Sequence, residues 1–197
     1  NAGLKPKLKL PFGDGPGAKK RRPLEGVRVL LSEAKNEPAG SARSILIFQA
    51  AREVTWRRNI SGMEEALDDS LIDLVLIDQQ LPGGDALEFV RKLRRGEIGE
   101  NPFVCLAVLH WQTGQADVDV AQQCGADDRI AKRIAEVAVA TRMKLLCDRR
   151  KTYIAAKGHI GPIRAQMSAN LSSAEQFEPP NTRKTNAIGK PLDSAEQ

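Results

Sequence analysis

Three apolar runs stand out along the chain, and each ends on a polar or charged side chain. Val27-Arg28-Val29-Leu30-Leu31-Ser32 runs into Glu33, Leu74-Val75-Leu76-Ile77 into Asp78, and Phe103-Val104-Cys105-Leu106-Ala107-Val108-Leu109 into His110. Runs of this length bounded by turn residues predict strands buried on both faces of a parallel sheet. A fourth, weaker signal follows Cys124-Gly125-Ala126-Asp127: a short strand from Asp128 that ends at Lys132. Positions 54–57 read as a further strand near a sheet edge.

Between the strands the apolar spacing changes to the helical period. Helices are predicted over 41–51 with Ile45 and Phe48 on one face, over 63–69, and over 85–95 with Leu87, Val90 and Leu93 inward and Gly96 as the stop. Two more are expected over 115–123 and over 134–146, the last with Ile134, Val137, Thr141 and Leu145 inward. Five strand–helix pairs imply right-handed βαβ units and an α/β fold with a doubly wound five-stranded parallel sheet.

Such sheets gather their working groups at the carboxyl ends of the strands. Asp78 ends the most apolar run and precedes the turn Leu81-Pro82-Gly83-Gly84-Asp85. Glu33, His110 and Lys132 are expected at the same edge. A carboxylate there suits metal-assisted chemistry, or equally a structural ion pair with Lys132.

Over roughly residues 26–148 this arrangement resembles the receiver domain of two-component response regulators, a flavodoxin-like (βα)5 fold. Asp78 with Leu81-Pro82 behind it resembles the phosphoacceptor and its turn, and Gly125-Ala126-Asp127-Asp128 with Lys132 resembles the segment leading to the family's lysine. The resemblance implies that Asp78 accepts a phosphoryl group and that Lys132 supplies its counter-charge. It implies Mg2+ held by Glu33, Asp78 and the Gln80 backbone carbonyl, since magnesium takes oxygen ligands and usually one or two carboxylates. It also implies a histidine kinase or another signalling protein as partner. The partner surface, or a homodimer face, would be the last strand–helix unit with the helix before it.

Four positions depart from the family pattern. Ala34 stands where a second acid is usual, His110 where a small hydroxyl residue is usual, Arg129 where an aromatic is usual, and Arg133 where proline is usual. Loss of the acid at Ala34 weakens or abolishes the metal site. His110 and Arg129 can pair with a phosphoryl group by charge but cannot reproduce the inward swing of a hydroxyl. Each residue also has a plainer reading. Glu33 fits an acid at a helix N-terminus, His110 a hydrogen-bonded pocket histidine and Arg129 a solvated surface charge; Trp111 beside His110 fits a cap on the pocket or, more plainly, an ordinary surface or core aromatic.

Composition adds bounds. Of 197 residues only 4% are aromatic, so aliphatic side chains must build the core. No run of eighteen apolar residues is present, so no membrane span is expected. The start of the chain lacks the apolar stretch of a secretory signal. Three scattered cysteines, Cys105, Cys124 and Cys147, fit no zinc pattern and suggest reduced thiols in the cytoplasm.

Charge divides the chain into three parts. Residues 1–25 carry a net +5, residues 26–148 a net −4 and residues 149–197 a net +4. The first part, rich in Pro and Gly and ending in Lys19-Lys20-Arg21-Arg22, predicts a flexible basic arm. The last, with Gly161-Pro162 and Pro179-Pro180, predicts a mostly irregular basic tail too short for a DNA-binding output domain.

Three function classes follow. One is a single-domain response regulator phosphorylated on Asp78, and the second a degenerate receiver acting as a phosphorylation-independent adaptor. The third, and weakest, is a nucleic-acid-associated protein using its basic arms, which lack stacking aromatics and a groove-reading helix. An independent enzyme is not expected, because no Gly-rich phosphate loop and no supported Ser/His/Asp or Cys/His set is present.

Overall fold

The computed structural model describes residues 22–32, 42–111, 124–132, 136–156, 159–163 and 175–179. The apolar runs form the parallel sheet that their pattern predicts. Its strands are β1 (Arg28–Ser32), β2 (Glu53–Arg57), β3 (Leu74–Asp78), β4 (Cys105–His110) and β5 (Asp128–Ala131), in the order β2-β1-β3-β4-β5. β3 lies at the centre, and all five of its residues are buried. Its register sets Leu76 beside Leu31 of β1 and Asp78 beside Leu109 of β4.

The pleat sends alternate side chains to two cores. Leu30, Val75, Ile77, Leu106 and Val108 pack against α2 (Ile60–Asp69) and α3 (Ala86–Arg94). Val29, Leu31, Leu74, Leu76, Ala107, Leu109 and Ile130 pack on the other face, against α1 (Ala42–Phe48) and α4 (Glu136–Asp148). Asn59 caps α2 by accepting from the Gly62 N–H at 2.9 Å, and Asp85 caps α3 by accepting from the Leu87 N–H at 2.8 Å. Gly83, at φ 91°, supplies the left-handed residue that the β3–α3 turn needs. The helix expected over 115–123 lies outside the described residues, as do the arm over 1–21 and residues 180–197.

Two helices present a different face from the one their spacing suggested. In α1 the buried pair is Ile45 and Leu46, while Phe48 is 67% exposed with the Arg22 guanidinium 6.0 Å from its ring. The short helix takes its phase from Ala42, Ile45, Leu46 and Gln49, which leaves position 48 outward. Among the described side chains of α4, Val139, Ala140, Met143 and Cys147 are buried, whereas Thr141 and Leu145 face out; Ile134 and the Val137 side chain lie outside the described residues. This helix carries apolar residues on more than one side, so the sequence offers two faces and packing on the sheet selects one.

Within the segment expected to be a mostly irregular basic tail, the described residues include three short strands. A three-stranded antiparallel sheet forms from β6 (Tyr153–Ala156), β7 (His159–Pro162) and β8 (Glu175–Phe177), ordered β7-β6-β8. Strands of three or four residues leave too weak a period to read, and they hold here because they cover a prepared surface. Phe103 meets Tyr153 and Phe177 edge to face, and Tyr153 and Phe177 are tilted to each other, with centroids 5.4–6.1 Å apart. Beneath them Asp127 accepts from the Arg94 guanidinium at 2.9 Å, the Leu106 N–H at 2.8 Å and the Tyr153 hydroxyl at 2.6 Å. Arg94 is itself 1% exposed and donates further to the Gly125, Pro102 and Val104 carbonyls. Gly125, at φ 96°, lets β7 approach: a Cβ there would sit 2.5 Å from the Ile160 carbonyl oxygen.

Candidate functional site

The carboxyl end of β3 delivers Asp78 to the sheet edge, and β5 delivers Lys132 just beyond its last residue. The Lys132 Nζ lies 2.5 Å from the Asp78 Oδ2, with the two side chains 8% and 0% exposed. The other carboxylate oxygen accepts from the Gln80 N–H at 2.9 Å. The Asp78 N–H donates to the Ser32 hydroxyl at the end of β1, at 3.0 Å. The Lys132 N–H donates to the His110 carbonyl at 2.7 Å, which ties the ends of β4 and β5. Trp111 follows His110, and its ring lies 4.9 Å from the Lys132 ammonium, within cation–π range. His110 is half-buried, with Nδ1 2.7 Å from the Trp111 carbonyl oxygen. Because a carbonyl can only accept, that nitrogen carries the proton.

Solved structures share this architecture. A CheY-like receiver domain from Methanospirillum hungatei JF-1 superposes with a TM-score of 0.52 at 18% identity, over 61% of this chain and 92% of that one. A two-component response regulator from Clostridium difficile gives 0.55 at 14%, over 62% of this chain and 97% of that one. The fold is that of response-regulator receiver domains. A third receiver, from a sensor histidine kinase of Pseudomonas aeruginosa PAO1, has magnesium coordinated in its active-site cleft and gives 0.51 at 22% identity, over 60% of this chain and 98% of that one. In sequence, the chain is 33% identical over 94 residues to the transcriptional regulatory protein AruR of Pseudomonas aeruginosa, covering 47% of this chain and 35% of that protein. It thus spans about a third of that relative's length. No protein-family model matches the sequence.

The receiver frame brings together Asp78, Lys132, Gln80 and His110. Glu33 and Ala34 lie outside the described residues. Arg129, expected as a solvated charge, is only 9% exposed. It sits within β5 opposite Val108 of β4. The magnesium expectation names Glu33, Asp78 and the Gln80 carbonyl, of which Glu33 lies outside the described residues. Among the described residues no group of three His, Cys, Asp or Glu side chains is placed to hold a metal. Asp78, the one strand-end carboxylate described, already accepts from Lys132 and Gln80.

One contributor escaped the sequence reading. Ser32 is buried at the end of an apolar strand, where a hydroxyl costs free energy unless it is bonded; that mismatch was the available signal. Trp111, read from the sequence as a cap or an ordinary aromatic, lies against Lys132, each residue standing just past the end of its strand. All three cysteines are buried and outside any disulfide, and no helix among the described residues is long and apolar enough to cross a membrane.

Proposed function

We propose that this chain is a receiver module of two-component signalling, taking a phosphoryl group on Asp78 from a histidine kinase and acting through protein–protein contacts. The observation that supports this reading is the Asp78–Lys132 pair at the carboxyl edge of the central strand, 2.5 Å apart and nearly enclosed. In the transfer, an Asp78 carboxylate oxygen forms a bond to phosphorus as the donor's P–N bond breaks. The electron pair of that bond stays on the donor nitrogen, which takes a proton. Catalysis of such a step is mostly positioning and charge stabilisation, and Lys132 is the cation in place to meet the phosphoryl oxygens. Its move from Asp78 to the new acyl phosphate is the conformational signal.

A second reading has an observation of its own. Asp78 is 0% exposed, and the His110 ring bonds to the Trp111 backbone instead of offering a small hydroxyl. Both favour an adaptor whose partner binding ignores phosphorylation, with the pair serving to hold the strand ends. Labelling with phosphoramidate, with and without magnesium, separates the two. Incorporation into the wild type that disappears in Asp78→Asn establishes the acceptor. No incorporation at millimolar magnesium leaves the adaptor, and equal partner binding by wild type and Asp78→Asn then supports it.

A further inference from the structure

β2 is the outer strand of the parallel sheet among the described residues, paired on one side only, with β1. The Arg52 N–H bonds inward to the Val27 carbonyl at 2.9 Å. Backbone groups alternate in direction along a parallel strand, so Glu53, Thr55 and Arg57 turn theirs outward. Such a row is a template for one more strand. The side chains around it are cationic. Residues 52–58 hold three arginines against one glutamate, and Glu53 already accepts from the Thr55 hydroxyl at 3.4 Å. Trp56, which packs on the α1 side, has the Arg58 guanidinium 4.5 Å from its ring and that of Arg43 at 5.9 Å. Arg43, Arg52 and Arg58 are exposed, and among the described residues no acid forms an ion pair with any of them. Ile47, one helical turn beyond Arg43, is 57% exposed. This basic edge belongs to a stretch, residues 26–148, whose net charge is −4.

We propose that the outer edge of β2 is a docking site for an extended acidic segment of a partner protein, which joins the parallel sheet as an added strand. The inference goes beyond the receiver reading and holds whether or not Asp78 takes a phosphoryl group. Main-chain bonds to Glu53, Thr55 and Arg57 supply the pairing, and carboxylates on the α1 side of the added strand meet Arg43 and Arg58. The arginines also select the occupant. A second copy brings the same excess of positive charge. Antiparallel pairing centred on Thr55 sets Glu53 opposite Arg57 but leaves Arg52 opposite Arg58, and like charges so opposed are destabilising. A nucleic acid meets the charge, but its phosphates have no donor for the outward carbonyls. An acidic strand satisfies both the charge and the backbone.

The test uses the full chain and a fluorescein-labelled peptide of alternating Glu and Val, about ten residues long, the upper length of an ordinary strand. Fluorescence anisotropy is expected to show saturable binding that weakens as salt rises. Reversing two exposed charges, Arg43→Glu with Arg58→Glu, is expected to weaken it on the order of tenfold. Amide exchange read by NMR supplies the backbone signature. The Thr55 N–H is expected to exchange on the order of tenfold more slowly with the peptide bound, and Val54, whose N–H turns toward β1, to stay unchanged. Thr55→Pro removes the outward N–H at an edge position that tolerates proline, and is expected to abolish binding with circular dichroism unaltered. If Thr55→Pro does not fold, exchange in the wild type decides alone. Peptide binding that leaves Thr55 exchange unchanged overturns the added strand, and no saturable binding at millimolar peptide overturns the site. Binding of single-stranded oligothymidine in place of the peptide assigns the arginines to nucleic acid and overturns the proposal. A dimer found by sedimentation without peptide, and lost in Thr55→Pro, assigns the edge to a second copy and overturns it equally.

Discussion

Replacing Tyr153 with Phe isolates one hydrogen bond that joins the C-terminal sheet to the receiver fold. The hydroxyl donates to Asp127 Oδ1 at 2.6 Å and receives the Arg150 guanidinium at 3.2 Å, while the ring, 0% exposed, packs on Phe103 and Phe177. Phenylalanine keeps the ring contacts and leaves a buried carboxylate oxygen short of a donor. A hydrogen bond to a charged acceptor contributes about 1.5–3 kcal/mol, so a loss of about 2 kcal/mol is expected. For a domain of this size that lowers Tm by roughly 4–8 °C. Urea denaturation should show a lower midpoint at an unchanged slope. The pH dependence adds a sign. Burial and the neighbouring Asp127 carboxylate raise the Tyr153 pKa above its ordinary value, with Arg94 and Arg150 acting against them. A raised folded pKa means that the unfolded chain releases the proton first. The contribution is therefore complete below pH about 10, the unfolded value, and is lost as pH rises above it. The stability gap between wild type and variant should narrow in that window. Tyr153 is the single tyrosine of the chain, so tyrosinate absorbance follows it directly and should appear well above the pH at which the unfolded chain ionises. A change below about 0.5 kcal/mol, less than any net hydrogen bond of this kind, or an ordinary tyrosine titration in the folded protein would refute the account.

The strand-end pair makes a second stability prediction. Lys132→Met strands the buried Asp78 carboxylate and should cost about 3–5 kcal/mol, whereas adding Asp78→Asn should recover most of it; a urea double-mutant cycle measures the coupling. Gly125→Ala puts a Cβ at φ 96° against the Ile160 carbonyl oxygen and should destabilise by more than about 1 kcal/mol. Protease cleavage within the C-terminal sheet should then precede cleavage of the parallel sheet, and a wild-type cleavage order would count against the close approach.

The sequence by itself determined the parallel sheet, its winding and the placement of Asp78 and Lys132. Buried parallel strands need continuous apolar runs, and a run that stops on a charge marks where the sheet meets solvent. The caps at Asn59 and Asp85 and the turn at Gly83 were equally local, because their chemistry is settled within a few residues. Tertiary structure alone decided which face of α1 and α4 turns inward, since both helices carry apolar residues on more than one side. It also decided that Arg129 is buried and that Trp111 lies over Lys132, because each depends on what the neighbouring strand and loop bring alongside. The C-terminal sheet shows the same limit. Tyr153 gives no sign in the sequence of pairing with Asp127 and Phe103, and its three strands find their reason only in the surface that they cover.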